Sequence, residues 1–159
     1  FLSSPVFSLD QKDTQEAISA LQNFIFKYPE SNKAAEANEN IKILTLKLEK
    51  RSFEIAKQYH HTQDYIAAIV AFDNLLADYL GTSYKEEAMY YKFKSAYELA
   101  INSIIVKKEE RIEEALKYYE RFIKNFPESE FREETERLVE DLNKEQNNLL
   151  ALKTESNGL

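Results

Sequence analysis

Residues 115–129 read ALKYYERFIKNFPES, and the chain repeats their pattern at residues 17–31 (AISALQNFIFKYPES) and 68–82 (AIVAFDNLLADYLGT). The copies align without gaps and begin 51 and 47 residues apart. Six positions are apolar in every copy: the first, second, fifth, eighth, ninth and twelfth. This spacing places apolar side chains along one stripe of a helix, whereas a strand would need alternation. Each copy is therefore predicted to form an amphipathic helix.

The residues after each stripe are typical of a helix end followed by a new helix. Pro29 and Pro127 lack the amide donor that a continuing helix needs, and Leu80-Gly81 provides a glycine that tolerates a left-handed cap. Ser31, Thr82 and Ser129 share one aligned position and are expected to cap the next helix. Capping boxes are predicted at Ser83/Glu86 and Asp13/Glu16.

The predicted helices are at about 13–28, 32–60, 64–79, 83–106, 109–126 and 130–152. The segment 1–12 is predicted to be an irregular lead-in and 153–159 a polar tail.

Composition agrees with a helical protein and excludes several functions. The chain of 159 residues has two glycines and three prolines, too few for a turn-rich β fold. Its net charge of −7 argues against binding nucleic acid, which requires a basic face. The absence of cysteine excludes disulfides and thiolate chemistry, and no apolar run approaches the ~20 residues that span a bilayer.

The three stripe helices resemble the second helix of the tetratricopeptide repeat (TPR) family. That family places a small residue, a large residue, an apolar residue and a proline at successive offsets. The matching residues here are Ala17, Leu21, Phe24 and Pro29; Ala68, Phe72, Leu75 and Leu80; and Ala115, Tyr119, Phe122 and Pro127. The resemblance implies an all-α, TPR-like α-solenoid of antiparallel helix pairs over 13–152. Because a standard repeat spans about 34 residues, the longer spacing here predicts overlong helices.

Five segments together resemble the BamD family, especially its Bacteroidetes form: residues 4–14, 47–56, 65–69, 114–120 and 126–129. BamD proteins are TPR lipoproteins of the machinery that assembles β-barrel proteins in the bacterial outer membrane. The likeness covers about residues 2–142 and implies that the chain holds the C-terminal repeats. The lead-in would then continue a truncated upstream repeat. A lipid anchor further upstream would hold the protein at the periplasmic face of the outer membrane in a Gram-negative bacterium.

The resemblance also implies partners and a binding surface without catalysis. The implied partners are the POTRA domains of the barrel-bearing subunit, other assembly lipoproteins and unfolded outer-membrane proteins. In the TPR pattern the concave face would carry Phe53, Lys57, His60, Tyr91, Ser95 and Glu98. Phe53 and Tyr91 are the leading candidate contacts, because aromatic side chains dominate protein interfaces. The alternative is that the long helices cover them.

No catalytic, cofactor or metal site is predicted. His60 and His61 are the only histidines, and neighbouring helical side chains point about 100° apart, which disfavours a shared metal ion. The paired glutamates of the last two helices are interleaved with lysine and arginine, which is typical of a solvated helix face. Gly81 and Gly158 stand alone, so there is no glycine-rich phosphate loop.

Two other functions compete with a BamD-like scaffold. A TPR adaptor that clamps a peptide terminus would need inward lysines or asparagines on successive repeats, and Lys57 has no repeated counterparts. A glycan-binding outer-membrane lipoprotein usually stacks sugars on tryptophan, and this chain has none.

Overall fold

A computed structural model describes the backbone of residues 11–157 and the side chains of residues 11–153. Within this range the chain forms α-helices and no strand, which confirms the all-α, TPR-like prediction. The helices are α1 (Lys12–Lys27), α2 (Ala34–His61), α3 (Tyr65–Asp78), α4 (Lys85–Ile101), α5 (Ile105–Asn125) and α6 (Arg132–Asn157). Residues 1–10, which make up most of the predicted lead-in, lie outside the described residues.

The helix boundaries differ most from the prediction at the connection between α4 and α5 and at the C-terminal end of α6. α4 ends at Ile101 rather than near residue 106, because Asn102 and Ser103 turn their side chains back onto the helix. The Asn102 amide donates to the Glu98 carbonyl at 2.8 Å, and the Ser103 hydroxyl donates to the Leu99 carbonyl at 2.5 Å. The chain from Ile105 onward therefore belongs to α5 rather than to α4. α6 continues to Asn157, into the segment predicted as a polar tail.

The chain divides into two compact units, Phe1–Glu54 and Ile55–Leu159. The first contains α1 and most of α2, with Ala37, Leu44 and Phe53 buried on α2. Its apolar stripe on α1 is only half-buried, and Tyr28 at the end of that stripe is 50% exposed.

The second unit is built around α4, which packs against α3, α5 and α6. α4 and α5 run antiparallel: Lys85 contacts Asn125 at one end of the pair, and Ser103 contacts Arg111 at the other. The predicted stripes of α3 and α5 face this core, with Phe72 and Phe122 fully buried. Small residues lie where α4 meets its neighbours, which lets the helix backbones approach closely: Ala88, Ala96 and Ala100.

The three turns that follow the stripes share one set of hydrogen bonds. In each, the aligned hydroxyl accepts from the amide two residues later, at 3.1–3.3 Å: Ser31 from Lys33, Thr82 from Tyr84 and Ser129 from Phe131. These hydroxyls therefore order the turn before each helix instead of occupying the N-cap position itself. The two predicted capping boxes are wrong, since Gln11 and Tyr84 are the N-caps of α1 and α4 and neither makes a side-chain cap bond.

Leu80-Gly81 differs from the two Pro-Glu pairs in its backbone conformation but not in the hydrogen bond that closes the turn. The Thr82 amide donates to the Tyr79 carbonyl at 3.1 Å, as the Ser31 amide does to Tyr28 at 3.1 Å and the Ser129 amide to Phe126 at 3.2 Å. Gly81 has a φ of +86°, whereas neither Glu30 nor Glu128 has a positive φ. A positive φ at this position is the signature of a type II turn, in which proline is common one residue earlier. Tyr79 has φ −122° and ψ 74°, close to the values of Phe126, which precedes Pro127.

Ala68→Leu should lower the free energy of unfolding by about 1–3 kcal/mol, because Ala68 is fully buried and a larger side chain would overfill the core. Ala77→Leu, on an exposed position of the same helix, is the matched control and should change stability little. Denaturant unfolding measures both variants. Equal stability of the two variants would contradict the close packing at Ala68.

The turn at Leu80-Gly81 gives two variants with opposite effects. Leu80→Pro should stabilise the fold by about 0.4–1 kcal/mol, because the backbone already suits proline and the unfolded chain loses freedom. Gly81→Ala should destabilise it by about 1 kcal/mol, because alanine is strained at a positive φ. Thermal unfolding of both variants tests the assignment, which a destabilising Leu80→Pro would contradict.

Candidate protein-binding surface

The structure brings together three of the predicted contact residues, Lys57, His60 and Tyr91. The His60 imidazole lies edge-on to the Tyr91 ring with centroids 5.3 Å apart, and the Lys57 ammonium lies 5.3 Å from the centroid of the same ring. Phe72 of α3 stacks on Tyr91, with its centroid 6.1 Å away and the planes 11° apart. Tyr91 is thus fixed by several aromatic neighbours and keeps part of its surface accessible.

Ser95 is the polar residue that orients His60. The Ser95 hydroxyl donates to the Tyr91 carbonyl at 2.7 Å, and its oxygen lies 2.9 Å from His60 Nδ1. Because the single hydroxyl proton is used on the carbonyl, His60 Nδ1 must carry the proton and donate to Ser95. The sequence placed both residues on one face but gave no sign of this bond.

The aligned positions in the other turn–helix segments are apolar. Counted from Thr82, Ser31 and Ser129, Ser95 corresponds to Leu44 and Leu142, and all three are buried. A serine at a core position needs partners for its hydroxyl: the Tyr91 carbonyl accepts its proton, and His60 donates to its oxygen. The His60–Ser95 bond is therefore a specific feature of this repeat.

A second group on α4 was missed by sequence reasoning. Lys94 donates to Glu134 of α6 at 2.7 Å and to the Tyr90 hydroxyl at 3.0 Å, while Tyr90 donates to the other Glu134 oxygen at 2.8 Å. The Phe131 ring stacks on Tyr90 with centroids 4.1 Å apart. The i,i+4 spacing of Tyr90 and Lys94 is visible in the sequence, but their acidic partner lies 40 residues away from Lys94 along the chain.

The ion pair between Lys94 and Glu134 shifts both pKa values in the expected directions. Burial opposes the charge on Lys94, but the hydrogen bonds to Glu134 and Tyr90 outweigh it and raise the Lys94 pKa. The Lys94 hydrogen bond is the main cause of the lowered pKa of Glu134. Both groups are therefore charged at neutral pH, and their charges are held in fixed positions.

The remaining predicted contacts have different positions. Glu98 is half-buried and lies one turn beyond Lys94 on α4. The pKa of Tyr65 is raised by the burial of its phenol and, to a smaller extent, by the negative charge of Glu98. Phe53 is only 2% exposed, so it presents almost no surface to a partner. Five of these residues are partly exposed, and together we call them the α4 surface. They are Tyr91, Lys94 and Glu98 of α4 with Lys57 and His60 of α2.

The described residues contain no cluster of three or more histidine, cysteine, aspartate or glutamate side chains that could bind a metal ion. None of the helices in the described range combines the length and apolar character needed to cross a bilayer. The α4 surface itself combines the rings of His60 and Tyr91 with charged side chains of both signs. Such a surface suits contact with another protein.

Comparison with known protein families identifies the family of the chain. The YfiO family model, described as an outer membrane lipoprotein, matches residues 4–112. The chain belongs to the YfiO family. The matched range includes α1–α4 and the start of α5, and therefore Lys57, His60, Tyr91, Lys94 and Glu98 of the α4 surface.

A curated relative confirms the predicted resemblance to BamD. The chain is 31% identical over 87 residues to the outer membrane protein assembly factor BamD of Buchnera aphidicola subsp. Acyrthosiphon pisum. The matched region is 55% of this chain and 35% of the relative. The chain thus spans about a third of the length of that protein.

His60 should make stability depend on pH in the acid range. Burial, with the charges of Lys94 and His61, lowers its pKa from 6.5 to about 4. Between pH 4 and pH 6.5 the unfolded chain binds more protons at His60 than the folded chain does. The contribution of neutral His60 to the free energy of unfolding is therefore complete above pH 6.5 and is lost as the pH falls toward 4. In a His61→Gln variant, where His60 is the sole histidine, NMR titration should give a midpoint well below 6.5, because burial and Lys94, the two larger causes of the lowered His60 pKa, are retained. A midpoint near 6.5 would contradict the buried, Nδ1-bonded state.

Proposed function

We propose that this chain is a protein-binding scaffold, without catalytic activity, of the machinery that assembles β-barrel proteins in the outer membrane. Membership of the YfiO family over residues 4–112 is the observation that supports this most strongly. The name of the Buchnera relative, outer membrane protein assembly factor BamD, supports the same proposal.

The α4 surface is the proposed docking site. Its aromatic ring and its charges are held before any partner arrives: Phe72 and His60 fix Tyr91, and Glu134 fixes Lys94. A preformed surface loses little side-chain entropy on binding, so more of the contact energy appears as affinity. Helices packed on three sides of α4 provide the rigid support.

The proposed partner is the POTRA region of the barrel-bearing subunit, with other assembly lipoproteins and unfolded outer-membrane proteins as further partners. In this proposal the full-length protein works at the periplasmic face of the outer membrane of a Gram-negative bacterium, held by a lipid anchor upstream of residue 1. The segment 13–152 would then be the repeat region that carries the interface.

Charge reversal on the α4 surface tests the proposal. Lys57→Glu and Glu98→Lys should each weaken binding to purified POTRA domains by about tenfold in calorimetry, because each places a like charge against a complementary partner. Lys117→Glu, an exposed position on α5, is the matched control and should bind normally. Circular dichroism establishes that the variants are folded.

Two results would overturn the proposal at different levels. A folded wild-type chain that fails to bind the POTRA domains would exclude them as the partner. Binding that both charge reversals leave unchanged would exclude the α4 surface as the docking site.

A further inference from the structure

A small pocket lies where α3, α4 and α5 meet, and the proposed docking function does not use it. It has a volume of about 130 Å³ and is lined by Asp73, Leu76, Met89, Lys92, Tyr118 and Arg121. With 100° of rotation per residue, Met89 and Lys92 lie on the opposite side of α4 from Tyr91, Lys94 and Glu98. The pocket is therefore a separate feature from the α4 surface.

Lys92 is the buried cation of this pocket. Its side chain is only 9% exposed, and its ammonium pairs with the Asp73 carboxylate. The same ammonium lies 3.8 Å from the centroid of the Tyr118 ring. An ammonium group has three donors, and among the described residues Asp73 is the one acceptor bonded to it. Donor capacity therefore remains at the pocket.

Arg121 supplies a second cation. Its side chain is exposed, and no acidic group of the described residues lies within ion-pair distance of its guanidinium. The pKa of the Tyr118 phenol is raised by burial and by the carboxylates of Glu114 and Asp73. The positive charge of Arg121 acts in the opposite direction and lowers that pKa slightly. Glu114 accepts the Tyr118 hydroxyl at 2.5 Å and does not line the pocket. The lining thus carries two positive charges and one negative charge.

Leu76 and Met89 give the pocket apolar walls, and its volume limits the ligand to a small group. A closed cavity of about 150 Å³ holds a benzene ring, so this open pocket fits a group of the size of one side chain. A net positive lining with apolar walls favours a carboxylate on a short apolar stem.

We propose that this pocket binds a peptide carboxylate, which Arg121 and Lys92 pair with while its apolar stem lies against Leu76 and Met89. Two sources carry this chemistry: an acidic side chain of a partner, and the carboxyl terminus of a chain that ends in an apolar residue. Both present one negative charge at the end of a few carbon atoms.

The single methionine of the chain is a direct probe, since Met89 lines the pocket. The test follows its ε-methyl NMR signal during titration with N-acetylglutamate N-methylamide, which has only the side-chain carboxylate. A second arm uses N-acetylleucine, which has only the terminal carboxylate. The neutral controls are N-acetylglutamine N-methylamide and N-acetylleucinamide. A saturable shift with either carboxylate, absent with its neutral control, supports the proposal and identifies the source.

Arg121→Gln should weaken the binding of that carboxylate by about fivefold, the effect of one partly exposed ion pair. Lys124→Gln removes the same charge from an exposed position on the same helix and should bind as wild type. No saturable shift with either probe, or equal shifts from the neutral controls, would overturn the proposal. An unchanged affinity in Arg121→Gln would overturn it as well.

Discussion

The burial of α4 is the constraint on which the second unit depends. Three helices pack around it, and Phe93, Ala96 and Ala100 on its length are almost completely removed from water. Close approach on several sides requires small residues, and it leaves polar side chains on α4 little access to solvent. Each polar group buried on this helix must find its partner within the protein.

The partners come from three different helices. Ser95 is bonded by His60 of α2, Lys92 by Asp73 of α3, and Lys94 by Glu134 of α6. An unpaired polar group in such positions would cost about 1–3 kcal/mol, so the surrounding helices are tied to α4 by specific bonds as well as by apolar packing. These same bonds fix the side chains that border the α4 surface and the pocket. The stability of the fold and the preorganisation of its surfaces therefore have a common cause.

The three turns show how different sequences reach similar local geometry. Pro29 and Pro127 begin two of them, whereas the third uses Leu80 followed by Gly81 at positive φ. The hydroxyl bonds that follow are the same in all three. A missing proline in a repeat pattern is thus compensated by a glycine one residue later, because type II turns accept that pair.

Local pattern determined much of this protein from the sequence alone. The spacing of apolar residues predicted the helices, and the repeated segments predicted the class of repeat. The longer segments indicated the resemblance to BamD, which the comparisons confirmed. These features are local because a helix is periodic within a few residues. Tertiary structure decided the burial of Phe53, the His60–Ser95 bond, the Lys94–Glu134 pair and the Lys92 pocket. Each of these depends on which helices pack together and how deeply, and periodicity along one helix contains no information about its neighbours.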